Sequence, residues 1–366
     1  MKIAFVSAAR SSHTVKWVNA LAKRGHTVRL YSLPDHVNTL QNIDDRVTII
    51  YLKTGGFQGY FLNAKELRQH IEEFHPDIVN CHYASGYGTL TRLSKVHPLL
   101  LSVWGSDVYD FPLKSPIHKK MVRDNIKKAD AVASTSHVMA KQVNRVFGFQ
   151  KEIFITPFGV DCGLFAPMAT MEQREEFCVG TVKALDPKYG MEYLIQAFAL
   201  FDQMIGESRK TSLVIYGKGD QKDELQRLID SLGLTNKAKL SGAVPNTEVP
   251  ALINKMDVFC LPSILDSESF GVAAVEAMAC GVPVIASDVD GFTETVEDRV
   301  TGFLVPKKNP QAMADKMLEL ANDPSLRERM GMAGRERALC LYDFEKNLDA
   351  MERYYQKTIE MARHRS

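Results

Sequence analysis

Residues 257–287 read DVFCLPSILDSESFGVAAVEAMACGVPVIAS. "DVFCLP" and "VPVIAS" are short apolar runs of the kind found in buried strands, and Phe270 to Ala279 between them reads as a buried helix. Gly281 sits where a helix stop is expected. Strand, helix, strand with short connections is the pattern of a right-handed crossover in a parallel sheet.

The same alternation continues on both sides. "EFCVGT", "TSLVIYG" and "AKLSG" read as strands, with helices near Met191 to Phe201, Lys222 to Leu232 and Glu248 to Asn254. Earlier come "KIAFVS", "TVRLYS", "RVTIIYL", "DIVNCH", "LLLSVW", "AVAST" and "EIFITP". Helical patterns separate them, from Thr14 to Arg24 (stopped by Gly25), around Ala64 to Phe74, and after Ser136 as N-cap. The stretch 157–175, PFGVDCGLFAPMATMEQRE, has two prolines, two glycines and no clear period, which places the linker there. The expected fold is α/β: two doubly wound domains, 1–160 and 161–342, and a long helix in the tail 343–366 that packs back across both. Such domains bind ligands at the carboxyl ends of their strands, and those ends can face each other across a cleft.

A chain of 366 residues exceeds what one core usually organises, in keeping with two domains. Hydrophobic residues make up 45% and charged residues 24%, as in soluble globular proteins. Lys plus Arg (45) balance Asp plus Glu (44), which argues against a dedicated nucleic-acid binder. The six cysteines form no C-x-x-C pair and read as reduced core residues, with no zinc-ligand spacing. The apolar run before Arg10 is short for a secretory signal, and no run approaches the ~20 residues that span a bilayer. The expected location is cytoplasmic, with any membrane contact peripheral and at the inner face.

Glu268 and Glu276 bracket the start of the helical stretch. If the helix begins near Phe270, Glu276 lies about two turns inside it, and ~12 Å of rise separates residues 268 and 276. That is roughly the span from a sugar ring across a diphosphate to a ribose. A carboxylate accepts two hydroxyl protons at once, which suits a diol, and N–H groups at a helix start favour an anion. A salt bridge at Glu276 and a plain loop position for Glu268 fit the spacing as well.

"LPSILDSESFGVAAVEAMACGVPVIAS" resembles the donor-binding signature of the retaining, nucleotide-sugar-dependent glycosyltransferases of family 4, which have the GT-B fold. "VGTVKALDPKYG", "LVIYGKGD", "ITPFGVD" and "DGFTETVEDRVTGFLVP" match further family segments in order, so the resemblance covers nearly all of residues 150–310. In the first half it rests on "DIVNCHYASGYG" and "LSVWGSDV".

The resemblance implies that Glu268 contacts the transferred sugar and Glu276 the ribose, with the backbone of Ser269, Phe270 and Gly271 near sugar and phosphate. Gly180 belongs to the implied donor loop, and Lys188 is implied to neutralise the leaving diphosphate in place of a metal. Where the family usually has an arginine after that glycine, this chain has Thr181; Lys183 is the candidate replacement, and equally a solvated surface lysine. His82 looks like the family's active-site histidine. Asp107 and Trp104 are implied on the acceptor side; Trp104 stands where many members have His. The first loop lacks the common pair of glycines, leaving Arg10, Ser11 and Ser12 as donors to phosphate or acceptor.

The implied reaction moves a sugar from a nucleoside diphosphate sugar, UDP-linked first and GDP-linked next, to the hydroxyl of a glycan or lipid-linked acceptor, without cofactor or metal. It belongs to cell-surface glycan or glycolipid synthesis. Asp288 and Asp290 form a D-x-D triplet of the sort that holds a metal elsewhere, but its surroundings fit the family segment. Residues 117–128 form a basic amphipathic stretch, readable as a membrane-surface helix or as a solvated face. A phosphorylase or epimerase relative, and a sugar-nucleotide-binding protein without catalysis, remain alternatives.

Overall fold

The computed structural model describes residues 1–39, 43–168 and 176–364. The chain divides into two compact units, Met1–Phe158 with Lys346–Ser366, and Gly159–Glu345.

The first unit holds a seven-stranded sheet, β1 Lys2–Val6, β2 Thr27–Ser32, β3 Thr48–Tyr51, β4 Ile78–His82, β5 Leu99–Val103, β6 Ala131–Ser134 and β7 Phe154–Ile155. Its order is β3-β2-β1-β4-β5-β6-β7, and every pairing is parallel. β4, β5 and β6 are buried along their whole length, as central parallel strands covered on both faces must be. The second unit holds six parallel strands, β8 Glu176–Val182, β9 Lys210–Tyr216, β10 Ala238–Gly242, β11 Val258–Leu261, β12 Val284–Ser287 and β13 Gly302–Val305, ordered β10-β9-β8-β11-β12-β13. The strand order reverses between β1 and β4 in one sheet and between β8 and β11 in the other. Those reversals open the crevices where doubly wound sheets take ligands.

Local chemistry explains most boundaries. Ser136 caps the helix His137–Phe147 by accepting from Met139 N, as its position predicts. Gly281 follows the helix Val272–Ala279 with φ +72°, the left-handed conformation a helix stop takes. The helix Gly86–Ser94 carries little sequence signal, since two glycines and two threonines depress its propensity. Packing makes it: a Cβ on Gly86 would lie 2.5 Å from the Tyr60 ring. "EIFITP" contributes only the two residues of β7, so its strand is shorter than its apolar pattern predicts.

The boundary between the two units falls between Phe158 and Gly159, inside the stretch read as the linker. Beyond it, residues 159–168 are anchored within the second unit: the Arg335 guanidinium donates to Cys162 O at 2.9 Å and Phe165 O at 2.6 Å, and also to Ala279 O at 2.7 Å. The rest of the expected linker, 169–175, lies outside the described residues. None of the six cysteines, all among the described residues, is in a disulfide, and Cys340 is exposed on a π-helical turn, so it is no core residue. Burial pushes the thiols of Cys81 and Cys280 up to about 12, which keeps them protonated and inert.

The terminal helix Phe344–Arg363 starts in the second unit and from Lys346 belongs to the first. There Arg24 bridges Asp349 and Glu352, Tyr354 stacks on Phe154 at 4.3 Å, and the fully buried Tyr355 reaches β4.

Candidate functional site

In the second unit, Lys183 leaves the carboxyl end of β8 beside the loop that leaves β11, on either side of the order reversal. Its Nζ lies 2.6 Å from Glu268 Oε2, with the two side chains 14% and 13% exposed. Removing either partner of a pair so sheltered costs more than the ~1 kcal/mol of a surface ion pair, because it strands a charge. Burial pulls the Lys183 ammonium down, but Glu268, Tyr189 and Glu276 outweigh it and hold it above its ordinary value. Lys183 therefore stays cationic between the two glutamates and is no solvated surface lysine. Its ammonium also lies 4.4 Å from the centre of the Tyr189 ring.

Glycine and backbone fit hold this edge together. Gly190 has φ +63°, and a Cβ there would come 2.4 Å from Pro262 O. Ile264 N donates to Lys188 O at 2.9 Å, tying the loop after β8 to the loop after β11. Gly291 N donates to Glu268 O at 3.0 Å, so the next helix braces the glutamate loop.

The helix begins at Val272, two residues later than the sequence predicts, because Gly271 takes φ +80°. Residues 268–271 lie outside the helix, so the expected ~12 Å of helical rise between the two carboxylates does not apply. They are related through Lys183 instead. Ser269 and Phe270 are buried, the Phe270 ring edge-on to Tyr342. Gly180 does not line this edge: it sits inside β8, where a Cβ would lie 2.4 Å from Met256 Sδ, so a core side chain takes its space. Lys188 is exposed, its ammonium 4.9 Å from the Tyr189 ring centre.

Asp288 accepts from Lys307 N at 3.0 Å, and Asp290 opens the short helix Asp290–Thr295, its N donating to Asp266. Among the described residues no group of three His, Cys, Asp or Glu side chains is placed to hold a metal ion. Sequence reasoning missed Tyr189, the Lys307–Asp266 pair at 2.7 Å, and the buried, unpartnered hydroxyls of Thr181 and Ser263. Only Tyr189 had a signal, as the residue separating Lys188 from its glycine.

In the first unit, His82 ends β4 and is 1% exposed. Phe5 and Trp104 pack edge-on at 4.4 and 4.8 Å between ring centres. Burial, aided by His13, holds the imidazole well below its ordinary value, so it is neutral at pH 7. Its Nε2 lies 3.0 Å from Asn80 Oδ1, while Nδ1 is buried with no partner. Trp104 also meets Phe158 and His13, completing an aromatic cover.

Asp107, expected to meet an acceptor, is fully buried and committed to the backbone. It accepts from Ala84 N at 2.7 Å, Gly105 N at 2.8 Å and Trp104 N at 3.1 Å. It shapes the loops after β4 and β5 and offers no free lone-pair edge to solvent. Tyr83, beside His82, is held at φ +83°, a strained conformation for a non-glycine residue, and its hydroxyl bonds Ser106. Arg10, Ser11 and Ser12 lead from β1 into the helix Ser12–Lys23; Ser11 is its N-cap residue, without a side-chain cap bond. The Arg10 guanidinium is exposed, 3.4 Å from Asp35 O.

Comparison with known proteins matches this architecture. The family model "Glycosyl transferases group 1" matches residues 169–337, and "Glycosyl transferase 4-like" matches residues 2–136. The chain is 31% identical over 265 residues to the GDP-mannose-dependent alpha-(1-6)-phosphatidylinositol monomannoside mannosyltransferase of Mycolicibacterium smegmatis, covering 69% of this chain and 68% of the relative. It is 28% identical over 300 residues to the D-inositol 3-phosphate glycosyltransferase of Kribbella flavida, covering 76% of this chain and 70% of that one. Among solved structures, the sucrose-phosphate synthase of Thermosynechococcus elongatus superposes with TM-score 0.84 at 22% identity, covering 97% of this chain and 98% of that one. Anabaena HepE in complex with UDP superposes with TM-score 0.79 at 20% identity, covering 98% of this chain and all (100%) of that one. With two parallel doubly wound sheets, the matched family models and these relatives, the chain belongs to the family 4 type glycosyltransferases of the GT-B fold.

Proposed function

We propose that the protein moves a sugar from a nucleoside diphosphate sugar to an acceptor hydroxyl, with retention and without a metal. The observation that carries this reading is the grouping of Lys183, Glu268 and Glu276 at the order reversal of the second sheet. A cation held between two carboxylates provides charge for a leaving diphosphate and acceptors for hydroxyls in one place. Glu268 takes the transferred sugar, Glu276 the ribose, and Lys183, with Lys188 nearby, offsets the charge that develops as the sugar–phosphate bond breaks. The leaving diphosphate takes the acceptor's proton on the same face, so no protein nucleophile is needed. His82, neutral and with a free lone pair on Nδ1, serves a sugar hydroxyl as hydrogen-bond acceptor.

GDP-mannose and UDP-sugars are the first donors to test, since a relative's name specifies the former and structural neighbours hold UDP. The test is transfer of label from GDP-mannose or UDP-glucose to a phosphoinositide or polyprenyl-phosphate acceptor in EDTA, with the product anomer read by NMR. Retained configuration and EDTA-insensitive transfer support the reading; inversion, or activity restored only by magnesium, overturns it.

A lipid-linked acceptor fits the surface that follows β5. Leu113 and Ile117 are 81% and 79% exposed, and Lys114, Lys119 and Lys120 surround them at the start of the helix Pro116–Lys128. Apolar tips among lysines suit the interface of an anionic bilayer, here the inner membrane face. Among the described residues no helix is long and apolar enough to cross a membrane. Cosedimentation with phosphatidylglycerol vesicles, lost in Leu113→Asp/Ile117→Asp, checks this; equal pelleting of both forms contradicts it.

A further inference from the structure

The terminal helix comes back to the first unit and places a tyrosine hydroxyl inside it. Tyr355 is fully buried, and its hydroxyl donates to Asn80 Oδ1 at 2.9 Å. Asn80, also fully buried, lies two residues before His82 on β4, on the same face of the strand. The same Oδ1 lies 3.0 Å from His82 Nε2. At the other end of the amide, Nδ2 donates to Leu100 O at 3.2 Å and to Ser102 Oγ at 3.1 Å, both on β5.

These bonds determine where the imidazole carries its proton. Nδ2 donates to the Leu100 carbonyl, which can only accept, so Oδ1 is the acceptor end; exchanging the two would set one acceptor against another. An acceptor facing Nε2 requires the hydrogen on Nε2. The other ring nitrogen of a neutral imidazole is then an unprotonated acceptor. It is Nδ1, and Nδ1 is the atom left buried with no partner. A buried acceptor without a partner is destabilising and calls for an explanation, and a bound hydroxyl supplies one.

We propose that Asn80, locked by Tyr355 of the terminal helix, is a positioning residue that fixes His82 in the Nε2–H form and reserves Nδ1 for a sugar hydroxyl. The proposal rests on the glycosyltransferase reading for what occupies Nδ1, but the tautomer does not. The returning helix thereby completes the hydrogen-bond chain beneath the histidine.

The experiment is long-range proton–nitrogen correlation of the His82 ring in the full-length protein at pH 7.5, with kinetics on the same samples. Wild type is expected to show a protonated Nε2 and an unprotonated Nδ1. Asn80→Leu, close in size, is expected to give an averaged pattern and a roughly tenfold lower kcat with the donor KM unchanged. Tyr355→Phe, which removes one oxygen atom and keeps the packing, should lower kcat by about threefold. Protonation of Nδ1 in wild type, or an Asn80→Leu protein with both ring pattern and kcat unchanged, overturns the proposal. If wild type transfers no sugar from any donor while its ring shows the Nε2–H form, the tautomer assignment stands and the transferase reading fails.

Discussion

At the carboxyl edge of the second sheet the chemically important side chains are charged: Lys183 against Glu268, both partly exposed, with Glu276 adding to the hold on the ammonium and Lys188 exposed. At the corresponding edge of the first sheet they are neutral or internally spent. His82 is covered by Phe5 and Trp104, and Asp107 is consumed by three backbone N–H groups. The difference fits two ligands of unlike chemistry. A nucleoside diphosphate carries charge that must be met by charge, whereas an acceptor hydroxyl asks for shape and a single well-aimed acceptor atom.

Lys183→Ala strikes this contrast hardest. It removes the cation and leaves the Glu268 carboxylate without its partner, so kcat is expected to fall on the order of 100-fold, in the range lost with one electrostatic stabiliser. Lys188→Ala, on the exposed side of Tyr189, should lose less than tenfold. Steady-state kinetics on the two variants checks the order, and a larger loss at Lys188 would return the leading role to that residue.

Gly190→Ala comes next. At φ +63° and against Pro262 O, the added methyl should lower stability by about 2 kcal/mol, read as the denaturant midpoint. A midpoint unchanged from wild type would mean that the loops after β8 and β11 are not locked to one another.

The smallest effect lies in the first unit and is a matter of pH. His82 is held neutral by burial, well below the ordinary histidine value, so the unfolded chain binds its proton first. Stability from this group is fully present above about pH 6.5 and is lost as pH falls below it. Replacing His82 with Phe should flatten the denaturation profile between about pH 6.5 and 5, and an identical slope in both proteins would show that the histidine titrates freely.

What the sequence revealed follows the same division. Both sheets were legible, because parallel strands buried on two faces read as continuous apolar runs, as in "DIVNC" and "VPVIAS". Glu268, Glu276 and Lys183 drew attention only through the resemblance of their segments to the family's donor site, since two glutamates at that spacing fit a plain salt bridge and loop position as well. At Gly180 the close approach of Met256 was hidden, because a glycine needed for a core side chain looks the same in sequence as one needed for a ligand. Nothing local announced Asn80 or Tyr355. Their meaning depends on a contact between residues far apart in the chain, made only when the terminal helix returns.

The most direct measurement is a calorimetric titration of the wild-type protein and Glu276→Ala with GDP-mannose and with UDP-glucose, each in EDTA. Metal-independent binding of one of them to wild type, weakened at least 30-fold in Glu276→Ala, is the predicted result. Equal affinity in both proteins, or no binding of either nucleotide sugar, would contradict the assignment of the donor to the carboxyl edge of the second sheet.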